Sequence, residues 1–179
     1  MWMFPSLLKT SSKSRQLKQQ LNYPVPKFTL CMVQENNGLF TVVKINSPSD
    51  AARLFKPLRL AAEEHFMALH LNVKNEVIGV HEVAHGTLTE SLVHPREVFK
   101  AALLANSYAI LVCHNHPSGS VITPSTEDYV ATKQLVAAGK LIGVSIIDHL
   151  ILDGDSASES VYSFRQEHPD LWLEEKKST

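Results

Sequence analysis

The segment 108-YAILVCHNHPSG-119 joins an apolar run to two histidines that are separated by one residue. Residues 108–113 are almost wholly apolar, which is typical of a central strand buried on both faces. Because side chains alternate faces along an extended chain, His114 and His116 are expected to point to the same side. The segment therefore predicts a buried strand that leads into a pair of imidazoles.

The segment 124-PSTED-128 follows a short loop and predicts the start of a helix that reaches Gly139. A carboxylate at Asp128, in the first turn, can join His114 and His116 as a third ligand. Three protein ligands with an open fourth position are typical of a catalytic zinc site. The pattern Ser125-x-x-Asp128 is also that of a capping box, and taken alone it needs no metal.

A zinc-activated water requires a base that accepts its proton, and we expect a carboxylate on a neighbouring strand. Glu82, in the predicted strand 77–84, is our first choice. From the residues alone, the alternatives Glu76, Glu90 and Glu97 stay open. Ser125 is the candidate for stabilising the developing oxyanion, because its hydroxyl would lie near the metal if Asp128 does.

The remaining patterns predict a layered α/β domain with a mixed sheet, since strands alternate with two long helices. We expect an N-terminal β-hairpin within residues 27–46, a helix starting at Ser47 and a helix from Pro95 to about Ala105. Further strands are predicted over residues 64–71, 77–84, 144–147 and 150–152.

Composition favours an ordinary globular protein. The chain has 179 residues, 44% of them hydrophobic, and a formal net charge of -1, so no overall field attracts nucleic acid. Residues 1–34 carry basic side chains and no acid, and we expect residues 1–26 to be a flexible leader. No apolar stretch is long enough to span a bilayer, so no membrane partner is expected.

Two cysteines, Cys31 and Cys113, lie inside apolar, strand-like runs. Free cysteine behaves as a small buried hydrophobe, so Cys113 is expected in the core rather than among the metal ligands. Neither the count nor the context predicts a disulfide scaffold, which favours a reducing, cytoplasmic compartment.

Several motifs together resemble a known family. A glutamate, then His-x-His-Pro, then Ser-x-x-Asp is similar to the JAMM motif of JAB/MPN metallo-domains. More narrowly, residues 94–99 (HPREVF), 114–119 (HNHPSG) and 148–151 (DHLI) resemble the RadC family. The resemblance covers residues 47–168, leaving 169–179 as a C-terminal tail, and it implies a cytidine-deaminase-like α/β architecture.

The resemblance also implies roles for individual residues. His114, His116 and Asp128 would bind Zn2+, Glu82 would be the base and Ser125 the oxyanion helper. The loop between Gly119 and Pro124 is one residue longer than the usual family spacing, which brings Glu127 to the customary position. Asp128 remains our choice, because it keeps the three-residue spacing from Ser125 on one helix face.

The function implied is a zinc metallopeptidase or isopeptidase that acts on an unidentified protein or peptide. The alternatives are a metal-dependent nuclease associated with DNA repair and a non-catalytic MPN-type interaction module. The helix-hairpin-helix segment of longer RadC proteins is not expected here, which weakens a DNA role. His149 follows Asp148 as in a pair that orients a metal ligand, but a structural role at a strand end is the stronger expectation.

Overall fold

The computed structural model describes residues 41–86, 93–117, 122–155 and 157–173, together with residues 26, 32–33 and 35. The chain divides into two compact units, residues 1–31 and 32–179, and nearly all described residues belong to the second.

The described part of this unit is a mixed α/β structure. Its elements, in chain order, are α1 (Pro48–Leu54), a 3-10 turn (Lys56–Leu60), β1 (His65–Leu71), β2 (Val77–His85), α2 (Pro95–Leu104), β3 (Ala109–His116), α3 (Thr126–Ile142), β4 (Ser145–Asp153), β5 (Val161–Ser163), α4 (Phe164–Glu167) and a second 3-10 turn (Pro169–Trp172). The strands form one sheet in the order β2-β1-β3-β4-β5. Only the β3–β4 pair in this sheet is parallel, so the predicted mixed sheet is confirmed.

Helices cover both faces of the sheet. On one face, α2 and α3 pack apolar side chains against alternate residues of β1 and β3, including Ile110 and Val112. On the other face, α1 packs against Leu111 and Cys113. Each large apolar side chain buried in this way contributes about 1.5–3 kcal/mol. The layered architecture predicted from the sequence is therefore confirmed, with β3 buried between the two helical layers.

The parallel pairing of β3 with β4 requires a crossover, and α3 provides it. The carboxyl end of β3 therefore lies beside the loop that leads into α3. In open α/β sheets, ligands bind outside the carboxyl ends of such strands. The fold thus places the two histidines and the first turn of α3 at an edge suited to a site.

Three element boundaries differ from those predicted. The strand β3 continues through His116, because it stays paired with β4 up to Asp153. The predicted strands 144–147 and 150–152 form the single strand β4, whose register shifts opposite Ile110 and Leu111. Gly139 does not end α3, which continues to Ile142 and stops where Gly143 adopts a left-handed φ of 81°.

Most of the predicted N-terminal hairpin, and all of 1–25, lies outside the described residues. Within residues 41–45, Lys44 forms an isolated antiparallel bridge with Glu76, and the Ile45 N–H donates to the Asn75 carbonyl at 2.9 Å. At the other end, the first residues of the predicted tail form the second 3-10 turn, and Trp172 donates to the Ile146 carbonyl at 2.6 Å. Cys31 and residues 174–179 are also outside the described part.

No helix within the described segments is long and apolar enough to cross a membrane.

The close packing at Gly139 generates a stability prediction. A Cβ atom at this buried position would lie 2.6 Å from the Val144 carbonyl oxygen and 3.2 Å from the Phe99 ring. Gly139→Ala should therefore lower the free energy of unfolding by about 1–2 kcal/mol, because overpacking outweighs the gain of about 1 kcal/mol in helix propensity. Urea denaturation of the purified protein measures this.

Gly79→Ala is the matched control, since a Cβ there meets nothing within 4 Å. Its free energy of unfolding should stay within about 0.5 kcal/mol of the parent's. A Gly139→Ala protein as stable as the parent would contradict the packing described here.

Candidate metal centre

The last residues of β3 place His114 and His116 on the same face of the sheet. This is the face covered by α2 and α3, because Val112, two residues earlier, packs in that core. The Nε2 atoms of the two rings are 3.0 Å apart. His114 is 1% exposed and His116 is partly exposed, so the pair runs from the core to an accessible edge.

Asp128 reaches the histidines from the first turn of α3. Its Oδ1 lies 3.2 Å from His114 Nε2, and its Oδ2 lies 3.6 Å from His116 Nε2. Ser125 is the N-cap, and its N–H and Oγ–H both donate to Asp128 Oδ2, at 2.8 and 2.7 Å. The capping box therefore engages Oδ2 and leaves Oδ1 directed at His114.

The three residues fit a zinc ion by distance and by chemistry. One potential ligand atom from each residue lies within 4.8 Å of the others. Tetrahedral zinc with bonds of about 2.0–2.1 Å requires ligand atoms about 3.3 Å apart, close to the separations seen here. Two imidazoles and one carboxylate also form a donor set typical of catalytic zinc. The cluster could therefore hold such an ion with little rearrangement.

The electrostatics of the cluster favour a neutral His114 beside an ionised carboxylate. Burial lowers the pKa of His114 to about 4, so its ring is neutral near pH 7. The neighbouring Asp128 carboxylate raises the pKa of His116. Burial alone would raise the pKa of Asp128, but the neighbouring His116 ring and the hydrogen bonds from Ser125 hold it well below its usual range. Asp128 is therefore a carboxylate ready to bind a cation.

The strand end that carries His116 is fixed from the side of β4. His116 pairs with Asp153, whose buried carboxylate forms an ion pair with Arg59. The next residue, Gly154, passes so close to Pro117 that a Cβ there would collide with the Pro117 carbonyl. The turn after His116 therefore depends on a glycine that directly follows the neighbouring strand β4.

The two other candidates on the helix start, Ser125 and Glu127, lie at exposed positions. The Ser125 hydroxyl gives its hydrogen to Asp128 and accepts from the Asp128 N–H at 3.1 Å. Glu127 is not part of the cluster, which contains the neighbouring Asp128 instead. The role of Ser125 at an oxyanion stays a prediction.

Glu82 is not brought to the cluster. It lies on the outer strand β2, with β1 between it and β3. Glu82 pairs with Met67, which pairs in turn with Cys113, so Glu82 occupies the face opposite to His114. Its Oε1 is 2.6 Å from His65 Nδ1. The assignment of Glu82 as the base stays a prediction, without support from this geometry.

Glu64 is a carboxylate near the cluster that the sequence analysis did not consider. In the antiparallel β1–β3 pair, Phe66 lies opposite His114, and continuing this register places Glu64 opposite His116. The charge of Glu64 also contributes to the raised pKa of His116. The signal was available in the predicted strand 64–71, but using it requires knowing that this strand pairs with β3.

Asn115 fixes the backbone on either side of Glu64. Its fully buried side chain accepts from the His65 N–H at 2.8 Å and donates to the Glu63 carbonyl at 3.0 Å. The residue between the two histidines therefore ties the start of β1 to the end of β3. This clamp holds Glu64 at the same edge of the sheet as His116.

The fold and the cluster define a class: a layered α/β domain with a candidate metal centre at the carboxyl end of a parallel strand pair. The sequence model of the family described as the RadC-like JAB domain matches residues 45–169. The chain belongs to this family, as its motifs indicated.

Relatives of the same kind occur in diverse organisms. UPF0758 proteins of Staphylococcus carnosus, Desulforamulus reducens and Methanosarcina mazei are 50%, 45% and 46% identical over 119, 124 and 110 residues. These alignments cover 66%, 69% and 61% of this chain and 52%, 54% and 48% of the relatives. The chain thus spans about half the length of the curated relatives it matches, and their names assign no activity.

The third ligand can be identified by metal content. Asp128→Ala should lose most of its bound zinc, because the carboxylate facing His114 and His116 is removed. Glu127→Ala is the matched control and should retain one zinc per chain, since adjacent helix residues point about 100° apart. Elemental analysis after dialysis against a weak chelator measures both variants. Zinc retained in Asp128→Ala and lost in Glu127→Ala would reverse the assignment.

Proposed function

We propose that this protein is a zinc-dependent hydrolase of amide or peptide-type bonds, similar to JAMM metallopeptidases. The observation that carries the proposal is the convergence of His114, His116 and Asp128, with three facing ligand atoms at an accessible edge. A zinc ion held there would supply a water of lowered pKa, near 7, and an electrophile for the substrate carbonyl. The chain's own part is to hold the ligands and to accept the proton.

Glu64 is our preferred proton acceptor. Its expected position opposite His116 and its electrostatic effect on that ring support a location next to the attacking water. Glu82 is the residue that the resemblance implies, but its side chain is engaged with His65 on the other face of the sheet. A base must lie within hydrogen-bond reach of the proton it removes, and this condition favours Glu64.

Ser125 is proposed to act mainly through Asp128. Its hydroxyl has one hydrogen, which goes to Asp128 Oδ2 at 2.7 Å. Stabilising a substrate oxyanion would require this hydrogen to turn away from the carboxylate. In the proposed function Ser125 therefore orients a ligand and can donate to the substrate only after that bond is released.

A phosphodiesterase is the second candidate, but the cluster gives it less support. Nucleases commonly clamp attacking and leaving oxygens with two metals about 3.5–4 Å apart. Within the described residues, His114, His116 and Asp128 form the one group of three or more potential ligands. A non-catalytic interaction module would have no need for the aligned ligand set.

A cytoplasmic location stays a prediction from the cysteine pattern.

The experiment that tests the proposal joins metal content to activity. The purified chain is loaded with zinc and assayed against a panel of peptides, isopeptide-linked peptides, small amides and single- and double-stranded DNA. We expect cleavage of an amide-type bond that a chelator abolishes and added zinc restores. Cleavage of DNA alone would establish the nuclease alternative, and bound zinc without any cleavage would favour the interaction module.

The identity of the base gives a separate prediction. Glu64→Gln should lower kcat by about 10²–10⁴-fold while keeping zinc, because only proton transfer is lost. Glu82→Gln should keep kcat within a few-fold, as should the exposed control Glu97→Gln, whose carboxylate contacts Arg96 and Lys100. Steady-state kinetics on the substrate found above measures all three. Loss of kcat in Glu82→Gln with an active Glu64→Gln would return the role to Glu82.

A further inference from the structure

Behind His114, on the side away from Asp128 Oδ1, two fully buried polar residues complete a chain of hydrogen bonds. His114 Nδ1 lies 2.9 Å from His149 Nε2. His149 Nδ1 lies 2.6 Å from Thr132 Oγ1, and Thr132 Oγ1 lies 2.6 Å from the Asp128 carbonyl oxygen. Both His149 and Thr132 have no exposed surface. The chain therefore begins at one proposed ligand and ends at the backbone of another.

We infer that Thr132 and His149 are positioning residues that fix the tautomer of His114, so that its Nε2 lone pair faces the metal centre. This inference rests on the proposed function, because it concerns a ligand of the proposed zinc ion. It assigns to His149 the role of orienting a metal ligand, whereas the sequence favoured a structural role at a strand end.

Counting hydrogens gives the direction of every bond in this chain. The Asp128 carbonyl can only accept, so the single hydroxyl hydrogen of Thr132 is donated to it. The Thr132 oxygen must then accept from His149, which puts a hydrogen on His149 Nδ1. In a neutral His149, Nε2 carries a lone pair and accepts from His114 Nδ1–H. A neutral His114 that carries its hydrogen on Nδ1 has none on Nε2.

Full burial favours the neutral form of His149 that this count requires. Its ring contacts Thr132, His114, Phe66 and Phe164, and none of these side chains carries a negative charge that would stabilise a protonated ring. Aromatic rings also limit rotation: Phe66 stacks on His114 at 5.9 Å and meets His149 edge-on at 5.3 Å, while Phe164 stacks on His149 at 4.9 Å. Because the rings are fixed, the positions of their hydrogens follow from the chain of hydrogen bonds alone.

The chain of hydrogen bonds gives the metal-free protein a His114 that is already in the tautomer required for metal binding. The other neutral tautomer of His114 would direct an Nε2–H at the centre and could not bind a metal there. Metal-binding histidines commonly have their second nitrogen fixed by a carboxylate, carbonyl or water. Here a histidine and a threonine do this, and the chain ends on Asp128, so α3 and β3 are aligned by the same bonds.

The first test reads the tautomer in the metal-free protein and needs no variant. Nitrogen-15 NMR of histidine-labelled protein, with assignment by the loss of one resonance set in His114→Ala, distinguishes Nδ1–H from Nε2–H. We expect His114 to carry its hydrogen on Nδ1. A dominant Nε2–H form would overturn the inference, whatever the protein's zinc affinity.

The second test compares Thr132→Val with Thr132→Ser. Valine keeps the volume and removes the hydroxyl, whereas serine keeps the hydroxyl. We expect Thr132→Val to weaken zinc binding by about 10–100-fold in a competition assay with a chromogenic chelator, and Thr132→Ser to stay near the parent. The Thr132→Val spectrum should also show a mixture of His114 tautomers.

Parent-like zinc affinity and an unchanged His114 tautomer in Thr132→Val would also overturn the inference. If the parent binds no zinc but its His114 resonances, assigned with His114→Ala, show an Nδ1–H tautomer, the proposed function fails and the inferred hydrogen-bond chain stands. If the parent binds zinc but Thr132→Val matches it in both readouts, the proposed function stands and the inferred chain fails. The NMR test on the parent decides even if Thr132→Val does not fold.

Discussion

The position of β3 between an antiparallel and a parallel neighbour is the constraint on which the rest of the site depends. Pairing with β1 fixes Phe66 beside His114 and, by the same register, Glu64 opposite His116. Parallel pairing with β4 places His149, a residue of β4, beside β3 and requires a crossover helix. The N-terminus of that helix is where Asp128 lies. A shift of β3 by one residue would turn both histidines to the opposite face.

A capping box and a metal ligand are compatible uses of the same aspartate. Asp128 has two carboxylate oxygens, and the cap engages Oδ2 through Ser125. Oδ1 is then directed at His114 by the geometry of the first helical turn. An N-cap contributes about 1 kcal/mol to stability. Forming the cap therefore offsets part of the conformational entropy that is lost when the Asp128 side chain is oriented. The apparently competing interpretations of Ser-x-x-Asp thus describe one preorganised carboxylate.

Local signals predicted the helix starts well, because Ser47, Pro95 and Ser125 act within one turn of the backbone. The buried run before His114 likewise predicted a central strand. Features that depend on pairing between distant segments were harder to predict. β4 forms one strand across Asp148-His149, because those polar side chains find partners in Ser163, Thr132 and His114. Glu64 was missed because its proximity to His116 depends on β1–β3 register.

Burying imidazoles and a hydroxyl in a core is not the most economical way to fill that space, since polar groups lose hydration there. The cost is limited here because no buried side-chain nitrogen or oxygen among the described residues lacks a hydrogen-bond partner. Apolar side chains of similar volume could pack between Phe66 and Phe164 at least as favourably. Apolar side chains could not fix the tautomer of His114. A chain of hydrogen bonds can, because only one arrangement of its donors and acceptors leaves the Nε2 atom of His114 without a hydrogen. A polar chain in an apolar layer is therefore best explained by the site it serves, since natural proteins depart from local packing preferences chiefly where function requires it.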